Sequence, residues 1–132
     1  MVVGYASSHA TSILNVLRNT AYGAIATPFV QLHTADPGAA GTTAVSVGDA
    51  TRKSIAWSAP SGANPVQMTV TAAPGAWTNG GTSETLTHVS IWTASSAGTF
   101  VLSLVLTAPQ AWVSTNTFTL NTCTLALTPT AA

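Results

Sequence analysis

The segment 29–43, FVQLHTADPGAAGTT, contains two residues that could do chemistry, His33 and Asp36, at the end of a strand-like run. A histidine and a carboxylate this close together could belong to an active site or provide two ligands for a metal ion. The alternative is structural, because Asp-Pro-Gly is a strong turn sequence. Aspartate accepts backbone N–H bonds, proline fixes φ, and glycine supplies a positive φ. We expect the structural role, an Asx-type turn that follows a strand.

A metal site or an enzyme active site would need more groups than the chain provides. The metal-ligand types are His9, His33, His88, Asp36, Asp49, Glu84 and Cys123, without H-x-H, C-x-x-C or H-E-x-x-H spacing. The best speculative set is His33, His88 and Asp36. The sequence has no G-x-S-x-G elbow, and TNGGTS (78–83) lacks the lysine of a P-loop. We therefore predict no catalytic, metal-binding or cofactor-binding residues and a protein that is not an enzyme.

The charge content excludes two classes of partner. The chain has 132 residues, of which 5% are charged, and its net charge is zero, whereas soluble domains carry roughly 25% charged residues. Three basic residues cannot form the basic stripe that binds nucleic acid. No run of roughly 20 apolar residues could span a membrane. A neutral surface of small residues suits a protein that is assembled on something.

The first element that must position these groups is a helix predicted over residues 7–22. Its apolar residues recur at helical spacing and form one stripe: Ala10, Ile13, Leu14, Leu17 and Ala21. Ser7 or Ser8 can cap its start, and residues 19–23 supply the stop. Two roles remain open, a docking helix that lays the stripe on a partner and a helix that closes one end of its own domain.

The rest of the chain is predicted to be β structure. Short strand-like runs cover residues 29–34, 52–58, 66–71, 86–92, 99–106, 117–120 and 124–127, with turn-rich sequences between them. This pattern predicts a mainly β fold, an antiparallel β-sandwich or barrel of about seven to eight strands with one N-terminal helix. We expect one domain over residues 1–132, with the sandwich at 28–128 and a loose tail at 129–132.

The four tryptophans divide by their sequence context. Trp57 and Trp92 lie inside strand-like runs, which favours packing in the core. Trp77 and Trp112 lie in the turn-rich sequences PGAWTNGG and PQAWVSTN, which makes them the better candidates for exposed contacts. Such residues could anchor a subunit contact or stack on a sugar, and we favour the subunit contact.

The order of these sequence features resembles a known family. The run LNVLRNTAYGAIATPFVQLHTADPGAAGT (14–42) has a helix ending in R-N-T-A-Y, a T-x-D-P turn and a Gly-Thr loop. Further along are THVSIWTASSAGTF (87–100), LTAP (106–109) and NTFTL (116–120). Together they resemble small virion structural proteins of tailed bacteriophages, which are often labelled tail fibre or minor structural proteins and include capsid decoration proteins.

The resemblance implies a non-enzymatic virion protein, and we expect a capsid decoration or cement protein on the capsid surface. The alternatives are a tail-tip or tail-fibre-associated protein and a carbohydrate-binding adhesion module on the virion. The expected partners are the major capsid protein and copies of the chain itself, with host polysaccharide as a further possibility. A dimer and a trimer are both compatible with this role. The residues expected to contact partners are Trp77, Trp112, Asp36, Pro37, Gly38, Arg52 and Lys53.

Overall fold

The computed structural model describes residues 4–129, and this part of the chain is mainly β. One α-helix, α1 (Ser7–Asn15), continues into a 3₁₀ turn, Val16–Arg18. The strands are β1 (Gly4–Tyr5), β2 (Phe29–His33), β3 (Lys53–Ser54), β4 (Ala56–Trp57), β5 (Val66–Ala72), β6 (Trp77–Thr78), β7 (Glu84–Trp92), β8 (Phe100–Trp112), β9 (Thr117–Phe118) and β10 (Thr124–Leu127). Of the predicted loose tail, residues 130–132 lie outside the described residues.

The strands form open antiparallel sheets. The largest has the order β1-β8-β7-β2-β3, a second has the order β10-β5-β4, and β6 pairs with β9. Each of these described sheets has two free edges, so the strands do not close into a barrel. The architecture confirms the predicted mainly β fold with one helix and is consistent with a β-sandwich.

The core lies between the five-stranded sheet and the smaller sheets. Val30 and Leu32 of β2 are fully buried, and Val89 and Ile91 of β7 lie beside them. Side chains of the smaller sheets pack against this cluster and cover it, among them Trp57, Val70 and Leu125. Because successive strand residues point to opposite faces, the alternate residues of β2 face away from this core.

The helix is shorter than predicted. It ends at Arg18 because Asn19 adopts the left-handed conformation (φ 59°), which asparagine tolerates better than most residues. The predicted stop at residues 19–23 is therefore confirmed, and the extension to residue 22 is wrong. The predicted serine cap is also wrong, because Ala6 occupies the N-cap position and no side chain caps the helix. No helix in the described part of the chain is long and apolar enough to cross a membrane.

Two strand boundaries differ from the prediction for a physical reason. β8 runs through the turn-like sequence around Pro109, because a register shift leaves residues 106–109 without partners on β7. A proline cannot donate to a ladder, and such an irregularity accommodates it. The predicted strand 52–58 is divided into β3 and β4, which pair with different sheets.

Candidate interaction site

The corner that follows β2 is a structural turn. The carboxylate of Asp36 accepts a hydrogen bond from the backbone N–H of Gly38 at 2.9 Å, and Gly38 has a φ of +73°. The hydroxyl of Thr43 donates to the carbonyl of Pro37, whose ring is buried. These contacts confirm the predicted Asx-type turn. After the turn the chain returns alongside the end of β2, where the backbone N–H of Ser46 donates to the carbonyl of Leu32 at 3.0 Å.

His33 is the buried centre of a hydrogen-bond chain. Its Nδ1 lies 2.8 Å from the carbonyl oxygen of Thr43, which can only accept, so Nδ1 carries the proton. Its Nε2 lies 2.7 Å from Oγ of Ser90, and the indole N–H of Trp92 donates to the same Oγ at 2.8 Å. Trp92 therefore donates to Ser90, Ser90 donates to His33, and His33 donates to Thr43. Burial lowers the pKa of His33 below the ordinary value of 6.5, which favours this neutral form.

Of the three residues considered as metal ligands, His33, His88 and Asp36, the fold places only the two histidines side by side. His33 and His88 are direct partners in the β2–β7 register. Nδ1 of His88 lies 2.7 Å from the hydroxyl of Thr87, and its buried Nε2 has no hydrogen-bond partner among the described residues. Asp36 uses its carboxylate in the turn. Within residues 4–129, no group of three histidine, cysteine or acidic side chains is placed to hold a metal ion.

Arg52 and Lys53 lie against aromatic rings and donate to neutral groups. The guanidinium carbon of Arg52 is 3.5 Å from the ring centroid of Trp92, and Nζ of Lys53 is 5.7 Å from that of Trp77. Nζ of Lys53 also donates to the carbonyl of Ala76 at 2.8 Å. Both cations cover buried rings, a favourable arrangement for cation–π attraction.

Trp77 and Trp112 are not exposed. Their side chains are 0% and 2% exposed, so the prediction of exposed contacts at both residues is wrong. The indole N–H of Trp77 donates to the carbonyl of Thr51, and that of Trp112 donates to the carbonyl of Asn116. The sequence around them resembles loops because β6 is only two residues long and β8 contains a proline. The structure puts their rings in the core, where they pack near Phe118.

The apolar stripe of the helix is the exposed surface that the sequence identified. The helix buries none of its residues. Ile13 is 44% exposed, Leu14 is 64% exposed and Leu17 is 86% exposed, and Val16 beside them is also exposed. These four residues are called the helix patch below. Two roles were left open for the helix. The stripe does not pack against the domain, so the helix does not use it to close one end of the fold.

The sequence did not identify an aromatic cluster where the helix meets the sheet. The ring of His9 stacks on Tyr5 with centroids 5.2 Å apart, and Tyr22 contacts its edge. Tyr5 and His9 also line an apolar cavity of about 520 Å³, which continues between the sheets to Trp57. Tyr5 lies in β1 and His9 in α1, so their contact spans the junction of two elements, and Tyr22 approaches from the loop after the helix. No local sequence pattern signals it.

Comparison with known families gives one extensive match. Residues 4–128 match the family described as Gp80, podophage GP4 fiber I protein gp80. The match includes the helix and all the strands described above. No curated protein matches the chain.

Proposed function

Because the chain belongs to the family of podophage GP4 fiber I protein gp80, a family of bacteriophage virion proteins of the fibre class, we propose that it is a non-enzymatic structural subunit associated with a tail fibre. The observation that carries this proposal is the helix patch, whose position in the fold suits attachment to a neighbouring protein. The role needs no reaction chemistry, in keeping with the structural use of His33 and Asp36.

The helix patch has the properties of an attachment surface. Its aliphatic side chains lie next to one another on a helix that the rest of the fold leaves open to solvent. Each such side chain gains about 1.5–3 kcal/mol when it is fully buried. Adjacent exposed apolar side chains on a soluble protein typically mark an interaction site. The nearby charge, Arg18, lies at the end of the patch and leaves its centre apolar.

The proposed partner is a neighbouring virion subunit, another copy of this chain or the protein that carries it on the particle. A stable contact buries about 1,200–2,000 Å² in total. The patch would form the apolar centre of such a contact, and the surrounding serine and threonine residues would form its polar rim. The near absence of charge in the sequence supports the same idea, because an assembled subunit does not depend on charge repulsion for solubility.

A second candidate is a capsid decoration or cement protein, which the neutral composition also favours. It would bury the same patch across joints between subunits of the major capsid protein and stabilise the assembled shell by linkage. The two candidates differ in copy number. A decoration protein is present in hundreds of copies per particle, and a fibre-associated protein in a few to a few dozen.

The test combines copy number with substitution in the helix patch. Mass spectrometry of purified particles should give a ratio to the major capsid protein of a few per cent for a fibre subunit. The Leu14→Glu, Leu17→Glu double variant should be absent from particles, while the isolated variant keeps its melting temperature because both side chains are exposed.

The control is Leu127→Glu, which places one glutamate on an exposed leucine of β10, outside the helix patch. It should be incorporated like the unchanged chain. A ratio near one or near one third would favour the decoration role over the fibre role. Normal incorporation of the double variant would refute the helix patch as the attachment surface, and absence of the unchanged chain from particles would refute both candidates.

A further inference from the structure

A second surface, separate from the helix patch, carries a positive charge that is held in a fixed position. Arg52 is held in place by three hydrogen bonds. Its Nε donates to the side-chain oxygen of Gln31 at 3.3 Å, and its Nη1 donates to the carbonyls of Ala94 at 3.3 Å and Ala97 at 2.5 Å. The ring of Trp92 supports the guanidinium from below. The side chain is therefore preorganised and loses little further entropy when it binds a ligand.

The charge of Arg52 is not compensated within the described chain. A guanidinium has five N–H donors, and the three bonds above use three of them. The two N–H groups of Nη2 have no partner among residues 4–129, and no carboxylate in that part of the chain pairs with Arg52. Burial lowers the pKa of Arg52, and no neighbouring anion offsets that cost.

Arg52 lines a cavity of about 440 Å³, which we call the Arg52 pocket. This volume lies within the usual range for small-molecule sites, about 300–1,000 Å³. The other walls consist of small or polar residues: Gln31, Thr51, Ser95 and Ser96 contribute polar side chains, and Ala50 and Ala97 contribute methyl groups. The hydroxyls of Ser95 and Ser96 are exposed and make no hydrogen bond with the described residues. The pocket thus combines one fixed cation with several hydroxyl groups.

We propose that the Arg52 pocket binds a sugar carboxylate, a uronate, with Nη2 of Arg52 donating to the carboxylate and the pocket hydroxyls contacting those of the sugar ring. A single uncompensated charge matches a monoanion better than a dianionic phosphate group. Charge-assisted bonds from arginine to carboxylate are among the stronger hydrogen bonds in proteins. The hydroxyl walls favour a polyhydroxylated ligand over an apolar one.

A second copy of this chain is poorly equipped to fill the pocket. Its side-chain carboxylates are those of Asp36, Asp49 and Glu84. Asp36 and Asp49 accept bonds in their own turns, and Glu84 binds the backbone N–H groups of Val47 and Gly48. The ligand is therefore expected to come from another molecule. The inference concerns a different surface from the helix patch, so each can fail without the other.

The test is calorimetric titration of the intact protein with glucuronate, with glucose as the neutral probe of the same ring. Glucuronate should bind more tightly than glucose by about tenfold or more, which is the value expected of one charge-assisted hydrogen bond. Arg52→Gln should lose the preference. Lys53→Gln is the matched control, because it removes the adjacent cation, which does not line the pocket.

Ser96→Tyr tests independently whether the pocket itself is needed for binding, because the larger side chain fills the pocket and leaves the bonds of Arg52 intact. It should abolish glucuronate binding without changing the melting temperature. The proposal is overturned if glucuronate binds no better than glucose, or if either pocket variant binds it as the unchanged protein does. Tighter binding of a short glutamate-containing peptide than of glucuronate would also overturn it and would assign the pocket to a protein partner.

Discussion

His33 of β2 accepts a hydrogen bond from Ser90 of β7 across 2.7 Å, and this contact makes the neutral imidazole part of the fold. Ser90 in turn receives the indole N–H of Trp92, so its hydroxyl proton is directed at His33. If His33 were protonated, Nε2 would also carry a hydrogen, and that hydrogen would face the hydroxyl proton of Ser90 in place of a lone pair. His33, which first suggested catalysis because Asp36 lies close to it in the sequence, therefore has a structural role that requires the uncharged imidazole.

The unfolding free energy should decrease as the pH falls below 6.5. Burial is the main cause that lowers the pKa of His33; the hydrogen bond to Thr43 opposes it, and the nearby Arg52 guanidinium lowers the pKa further. Below pH 6.5 the unfolded chain binds a proton that the folded chain does not, so acid favours unfolding, and the stability is fully present above that pH. Thermal melts from about pH 7.5 to about pH 5 would measure the decrease.

His33→Gln should show a weaker pH dependence, and Ser90→Ala should keep the dependence at a lower overall stability. An unchanged slope in His33→Gln would contradict the role given to this histidine.

Trp77→Ala and Trp112→Ala should each lower the unfolding free energy by about 3–5 kcal/mol, the cost of deleting a buried large aromatic side chain. Trp57→Ala should cost less, because Trp57 is only half-buried. Urea denaturation measures the loss. Near-neutral values for Trp77 and Trp112 would mean that these rings are exposed, as the sequence alone suggested.

Gly41→Ala should lower the unfolding free energy by about 1–3 kcal/mol. Gly41 has a φ of +72°, and a Cβ there would lie 2.5 Å from the ring of Phe100. Gly23→Ala is the matched control, because no atom lies within 4 Å of the added methyl group. Its change should stay within about 0.5 kcal/mol. Equal melting temperatures for the two variants would contradict the close approach at Gly41.

Glu84→Ala should lower the unfolding free energy by about 1.5–3 kcal/mol, the value of a single hydrogen bond to a charged group, because its three bonds share one carboxylate that is partly exposed. Its carboxylate accepts from the hydroxyl of Ser46 and, at 3.2 Å, from the backbone N–H of both Val47 and Gly48. Hydrogen exchange at Val47 and Gly48 should accelerate in the variant. Unaltered exchange there would show that the segment holds its position without Glu84.

The features that the sequence predicted correctly depend on local chemistry. The Asp36 turn and the helix stop at Asn19 follow from backbone preferences of single residues. The strand over residues 124–127 was predicted at its observed bounds. The errors concern long-range pairing. β6 forms only because Trp77 pairs with Phe118, a residue far along the chain, and this pairing buries a tryptophan that its neighbours suggested was exposed.

The two candidate surfaces, the helix patch and the Arg52 pocket, also differ in how far local sequence could predict them. Three residues of the helix patch, Ile13, Leu14 and Leu17, were predicted from helical spacing, although the sequence left their exposure undecided. The Arg52 pocket could not be predicted, because Gln31 of β2 and Trp92 of β7 meet Arg52 and Ser96, which come from two separate loops, only in the folded chain. The sequence nominated Arg52 as a contact residue but contained no sign of its neighbours.

Among the described residues, the hydrogen-bond partners of Arg52, Lys53 and Glu84 are neutral groups, and the two cations also lie on aromatic rings. This has a consequence for the medium in which the protein works. Dissolved ions weaken attraction between exposed opposite charges, but they act little on hydrogen bonds of this kind. A fold held in this way should be nearly indifferent to ionic strength. In the proposed fibre role the subunit meets the surrounding water directly, and we expect it to keep the same fold in fresh water as in brine.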